Sequence, residues 1–126
     1  MKRKSIILIT FCITACGCII SCSKTSEDML LNANTCDTTS VRYATDIKNI
    51  LQNSCYGCHG NTSNGSSGGI VLEGYSNLTK WVINGSLVGN VTHATGYVAM
   101  PYGLPKLPDC EVNKIVAWVH QGALNN

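Results

Sequence analysis

The chain has 126 residues, which allows one domain and no more. Nine Lys and Arg oppose seven Asp and Glu, a formal net charge of +2. Three of the cations lie in Met1-Lys2-Arg3-Lys4, and from residue 22 onward six cations oppose seven anions, a net of −1. That part has no cationic surface of the size that nucleic-acid binding needs, so we exclude this class of partner.

The N-terminus has the layout of a bacterial export signal. An almost uncharged apolar run, residues 5–20, follows the basic cluster and is shorter than the ~20 residues of a membrane span. Ile19-Ile20-Ser21-Cys22 then matches a lipobox, in which the chain is cut before Cys22 and a lipid is attached there. Ile13-Thr14-Ala15-Cys16 fits the same pattern. We favour Cys22, because the apolar run continues up to it and a polar stretch follows directly.

This layout predicts a lipoprotein signal peptide over residues 1–21, a lipid-anchored flexible tether over 22–40 and one folded domain over 41–126. The mature protein is then exported and held through the lipid on Cys22 at the periplasmic side of a bacterial membrane. Which membrane holds it stays open.

The first predicted helix covers residues 41–53, because apolar residues recur there at three- and four-residue spacing on one face. A low-complexity loop of Gly, Asn, Ser and Thr follows over residues 60–69 and buries nothing. The chain is expected to re-enter the core at Ile70-Val71-Leu72. The apolar residues that define the first helix, residues 41–53, are Tyr43, Ile47, Ile50 and Leu51.

A short middle helix is predicted to begin at Ser76 as N-cap and to end at Asn84-Gly85. Residues 86–107 are punctuated by Gly and Pro and are predicted to form a loop with room for one short helical turn. The last helix is expected to be capped by Asp109 and to reach His120. No sustained strand pattern occurs, so the predicted fold class is all-α. A domain of this size usually needs an additional stabilising group.

The sequence Cys55-Tyr56-Gly57-Cys58-His59 is the Cys-x-x-Cys-His pattern of covalent c-type haem attachment. Two thiols three positions apart reach the two vinyl groups at one porphyrin edge. The adjacent imidazole of His59 then lies under the iron as its fifth ligand. A thioredoxin-like dithiol needs a strand before it, and a zinc site needs a second pair of ligands; neither is present in the sequence.

The sixth iron ligand is expected in the Gly- and Pro-rich segment, where Met100 precedes Pro101. A thioether favours ferrous iron, so a Met/His pair raises the reduction potential. Met100 as ordinary core filler is the alternative interpretation. His93 is the competing ligand, through bis-histidine ligation, and His120 is a weaker competitor. We favour Met100.

Two cysteines of the predicted mature chain remain to be assigned. Cys36 precedes the first helix and Cys110 begins the last, so packing of those helices brings the two thiols within bonding distance. An oxidising compartment favours the disulfide, whereas the alternative is two buried thiols.

Residues 43–126 resemble a class I cytochrome c domain in three features: the Cys55/Cys58/His59 motif after an N-terminal helix, Met100-Pro101 downstream, and a terminal helix from Asp109. The closing residues 122–126 resemble the tails of lipoprotein cytochromes from Bacteroidetes-like bacteria. The resemblance implies a small cytochrome c-like helical fold around one covalently bound haem. It also implies His59 as the proximal ligand and Met100 as the distal one.

The expected function is that of a mono-haem c-type cytochrome, an electron carrier and not itself an enzyme. With both axial positions filled, the iron exchanges electrons without binding a substrate. The expected partners are membrane-associated redox proteins such as a respiratory complex, a terminal oxidase or an exported dehydrogenase.

Two other classes stay open. One is a haem protein with an open sixth site for peroxide or a gas; the other is a haem-free interaction lipoprotein with a Cys55–Cys58 disulfide.

Overall fold

The computed structural model describes residues 36–62 and 67–126. Cys36–Asn126 form one compact unit. The predicted signal peptide, both candidate lipidation sites (Cys16 and Cys22) and residues 22–35 of the predicted tether lie outside the described residues. Residues 36–40, which the sequence analysis assigned to the tether, lie within the compact unit.

All regular elements of the described part are helical. No strand occurs in residues 36–62 or 67–126, so the all-α prediction is confirmed for them. A π-helical turn, Tyr43–Ile47, continues directly into the first α-helix. The α-helices are α1 (Lys48–Ser54), α2 (Tyr56–His59), α3 (Tyr75–Ile83), α4 (Ser86–Thr92) and α5 (Asp109–His120).

Two predicted helix caps were wrong. The N-cap of α3 is Gly74, whose φ of 91° turns the chain, and Ser76 lies inside the helix. The N-cap of α5 is Pro108, and no side chain caps this helix. Asp109 is instead its first residue, where its carboxylate still favours the positive end of the helix dipole.

The segment predicted as a loop with room for a single helical turn contains the seven-residue helix α4. Leu87 and Val91, four residues apart, are both buried, so one face of α4 packs into the core. Gly85 has a left-handed backbone with φ 76°, which reverses the chain between α3 and α4. The glycines concealed this helix, because one of them, Gly89, lies within it.

The core lies where α5 packs against the π-helical turn and α4, while α3 packs against α4. Its centre consists of the largest fully buried side chains, Ile47, Leu51, Leu78, Ile115 and Trp118. The rings of Tyr43 and Tyr75 meet edge to face with centroids 5.2 Å apart.

The C-terminal tail returns to the start of the first helical segment. Asn126 accepts hydrogen bonds from the N–H groups of Tyr43, through Oδ1 at 3.0 Å, and Ala44, through its carbonyl at 2.9 Å. It therefore satisfies amides that have no intrahelical partner. The indole N–H of Trp118 donates to the Leu124 carbonyl at 3.0 Å, and the Tyr75 hydroxyl donates to the Ala123 carbonyl at 2.8 Å.

One ion pair links the two ends of the fold. Lys114 Nζ on α5 lies 3.0 Å from Asp46 Oδ1 in the π-helical turn. Burial acts to raise the pKa of Asp46, but hydrogen bonds from the Arg42 N–H, Lys114 and Thr45 together hold it below its usual value. Among the described helices none has the length and apolar character needed to cross a bilayer.

Candidate functional site

The Cys-x-x-Cys-His motif lies where α1 gives way to α2. Cys55 leaves the α-helical conformation, with φ −125° and ψ −38°, and thereby separates the two helices. Its carbonyl accepts hydrogen bonds from the N–H groups of Cys58 at 3.1 Å and His59 at 2.8 Å. This single turn separates the two cysteines, and both line the same cavity.

His59 is held by the irregular segment that follows the Gly- and Ser-rich loop. Its Nδ1 lies 3.0 Å from the Ile70 carbonyl oxygen, and its own carbonyl accepts the Leu72 N–H at 2.8 Å. A carbonyl only accepts, so Nδ1 carries the proton and the lone pair of the neutral ring lies on Nε2. This is the tautomer and the outer support that a metal-binding histidine needs.

Both cysteines of the motif are free thiols, Cys55 partly buried and Cys58 exposed. Burial raises the pKa of the Cys55 thiol to about 11, and the charges of Glu111 and Cys58 act in the same direction. Cys55 is therefore a neutral thiol at pH 7, whereas the exposed Cys58 is open to reagents.

A cavity of about 340 Å³ opens beside the motif. Its volume lies within the range of small-molecule and cofactor sites. None of the described residues that line it is Asp, Glu, Lys or Arg. The described lining residues are Ser54, Cys55, Cys58, His59, Ser67, Ile70, Leu72, Trp81, Ser86, Leu87, Asn90, Val91, Met100, Pro101, Tyr102, Leu104 and Leu107.

The four residues that the sequence analysis assigned to the haem site are brought together in this cavity. Cys55, Cys58 and His59 line it as neighbours in sequence, and Met100 lines it from more than forty residues further along the chain. The competing ligands are placed elsewhere: His93 and His120 are exposed, and neither lines the cavity.

Cys36 and Cys110 are joined by a disulfide, with Cα atoms 5.3 Å apart. Neither residue lines the cavity. The bond ties the start of the compact unit to the first turn of α5, so it acts on the frame of the fold and not on the site.

Several contributors to the site were not found in the sequence. The Ile70 carbonyl holds His59, and Asn90 and Ser86 supply polar groups to the cavity wall. The two tryptophans, by contrast, were expected from the sequence to be core or haem-packing residues: Trp81 lines the cavity and Trp118 is fully buried. A main-chain carbonyl leaves no signal in the sequence, and the wall residues of α4 lie in a segment that was predicted to be mostly loop.

No group of three or more His, Cys, Asp and Glu side chains that suits a metal ion occurs in the part of the chain that the structure describes. A porphyrin supplies four equatorial nitrogens itself and needs only axial ligands from the protein. Comparisons of the chain with protein-family models, curated proteins and solved structures find no match.

Proposed function

We propose that this protein is a mono-haem c-type cytochrome of the class I type, which carries single electrons outside the cytoplasm. The observation that carries the proposal is the convergence of Cys55, Cys58, His59 and Met100 on one cavity. The first three residues are neighbours in sequence, but Met100 belongs to a distant loop. Its presence in the same cavity is independent support for the ligand pair expected from the sequence.

The residues present fit a covalently attached haem. The two free thiols lie one turn apart, the contact of His59 Nδ1 with the Ile70 carbonyl leaves Nε2 as the ring nitrogen for a metal, and the remaining wall is largely apolar. When bound, the haem supplies a one-electron ferric/ferrous couple whose potential the axial ligands and the surrounding dielectric set. Cys55 and Cys58 would hold it through thioether bonds, with His59 and Met100 as its axial ligands.

The chain's own residues have three tasks in electron transfer. The Ile70 carbonyl fixes the ring orientation of His59 and increases its basicity as a ligand. Leu72, Leu87 and Val91 exclude water from the cavity wall, which lowers the local dielectric. If His59 and Met100 both bind the iron, no coordination position would be left for a reacting substrate. The proposed role is therefore that of an electron carrier and not of an enzyme.

The proposed setting follows from the N-terminal sequence. A lipid on Cys22 would confine the unit to the periplasmic side of a bacterial membrane, which raises its effective concentration near membrane-bound donors and acceptors. Those partners would be a respiratory complex, a terminal oxidase or an exported dehydrogenase.

The test is an absorption spectrum of the full chain, produced together with c-type haem maturation proteins and recorded in the oxidised and dithionite-reduced forms. We expect a sharp reduced c-type band, the weak far-red sulfur-to-ferric-iron band, and one haem added to the chain mass. A Cys58→Ser variant should lose one thioether, whereas Cys110→Ser should retain both.

Absence of covalent haem would contradict the proposal. Covalent haem with rapid, tight carbon monoxide binding would instead support a haem protein with an open sixth site.

A further inference from the structure

The main chain of Met100 is held on both sides by the C-terminal end of α4. Its N–H donates to the Asn90 carbonyl at 3.1 Å. Its carbonyl oxygen lies 2.9 Å from Nε2 of His93. Because a carbonyl only accepts, the Nε2 of His93 carries the proton in this contact. Both polar groups of the Met100 backbone are thus bonded to one short stretch of chain.

The backbone of His93 is specialised for this contact. It adopts a left-handed conformation, φ 58° and ψ 39°, which residues with a Cβ rarely occupy. This conformation ends α4 and returns the chain toward the helix, and the Ala94 N–H then donates to the Gly89 carbonyl at 2.9 Å. His93 itself is exposed and outside the cavity wall, so it contacts the loop that carries the ligand and not the cavity.

A methionine ligand depends on such support more than a histidine ligand does. Its side chain has three rotatable bonds and its sulfur is a weak ligand, so the backbone must fix where the sulfur can reach. The chain on either side of Met100 contains glycines, and two of them, Gly96 and Gly103, have positive φ. The two hydrogen bonds therefore tie the Met100 backbone to the end of α4.

We propose that His93 is a positioning residue for Met100: its imidazole N–H fixes the Met100 carbonyl and thereby holds the thioether at the cavity. This inference rests on the proposed haem site and adds to it the outer support of the sixth ligand. In metal sites, loss of an outer partner of this kind typically costs ~10–100-fold in metal affinity or activity.

The experiment compares His93→Gln with His93→Leu in the full chain carrying haem. Both side chains have a Cβ at the same left-handed position, so both share its backbone cost, but only Gln retains a donor near the place of Nε2. His120→Leu, at the exposed end of α5, is the matched control.

In His93→Leu we expect the far-red band of the ferric protein to be largely lost and the carbon monoxide affinity of the ferrous protein to rise ~10-fold or more. In His93→Gln and His120→Leu both properties should stay near those of the unmodified chain. The sharp reduced c-type band should be the same in all of them, because it reports attached haem and not Met100.

Two results would overturn the inference while leaving the haem site intact. One is a His93→Leu protein with an unchanged far-red band and carbon monoxide affinity. The other is an unmodified chain with covalent haem, no far-red band, and a spectrum that changes with His93, which would make His93 the ligand. Absence of covalent haem in every variant would instead remove the proposed function itself, and the inference with it.

A second measurement does not depend on a variant that folds. In the reduced unmodified protein, the Nε2 proton of His93 should be visible by NMR and protected from exchange with water, although the residue is exposed. Rapid exchange of this proton would overturn the inference.

Discussion

The two sides of the cavity are built differently. The attachment segment, residues 43–59, is tied to distant parts of the chain by the core, the tail and the ion pair from Asp46 to Lys114. The uncharged segment, residues 81–105, has no Asp, Glu, Lys or Arg and contains four glycines and two prolines. Met100 is held there by nearby hydrogen bonds from α4. The attachment segment is therefore tied to residues distant in sequence, whereas the Met100 backbone is tied by hydrogen bonds to nearby residues at the end of α4, which itself packs against α5.

The largest expected effect is a loss of stability on removal of the disulfide. The double variant Cys36→Ser/Cys110→Ser releases a cross-link between residues 74 positions apart. The chain-entropy model then predicts a loss of about 4 kcal/mol in the free energy of unfolding, measured by urea denaturation. The far-red band should persist in native conditions, because neither cysteine lines the cavity. A lost band with unchanged stability would mean that the bond shapes the Met100 side.

A larger residue at Gly89 tests the Met100 side of the cavity. A Cβ at this position would overlap the ring of Tyr97, which covers the helix just before the Met100 loop. Gly89→Ala should therefore destabilise the protein by about 1–3 kcal/mol and weaken the far-red band, because Tyr97 must move. Gly57→Ala is the control, since a Cβ at that position on α2 would meet no other described part of the protein within 4 Å.

The Gly57→Ala variant should be neutral or slightly stabilising in thermal unfolding, since Ala is the better helix former. Equal losses in both variants would argue against the contact between Tyr97 and Gly89 as the cause.

The attachment side can be tested by the pH dependence of stability, which the ion pair of Asp46 with Lys114 affects. The folded-state pKa of Asp46 lies below its ordinary value of 3.8. Its contribution to stability is therefore present above that value and is lost as the pH falls through the folded-state pKa. Asp46→Asn should cost about 1 kcal/mol at pH 7 and flatten the acid limb of the stability curve. Lys48→Met, at an exposed position, is the control and should keep that limb.

The smallest expected effect is that of ionic strength on the rate of electron exchange between two copies of the protein. The described cavity wall has no Asp, Glu, Lys or Arg, and residues 36–126 carry five Lys and Arg against five Asp and Glu. Electron self-exchange between copies, measured by NMR line broadening, should change less than ~3-fold between low and high ionic strength. A steep rise with salt would show that charged surfaces outside residues 81–105 control the encounter.

The helical class and the position of α5 could be predicted from the sequence. Apolar spacing encodes a helix locally. Cys55, Cys58 and His59 are close together in the chain, so their proximity in the structure could also be predicted. The disulfide partners were expected from two isolated cysteines near helices that pack together.

The surroundings of these residues became visible only in the folded chain. The helix α4 was missed because Gly85 and Gly89 imitate a loop, although the burial of Leu87 and Val91 stabilises it. The contacts that hold His59 and Met100 involve main-chain carbonyls: the Ile70 carbonyl contacts His59, and the carbonyl of Met100 itself contacts His93. Every residue has a main-chain carbonyl, so no side-chain pattern in the sequence specifies which carbonyl a histidine contacts. The partner is decided by how the helices pack in three dimensions.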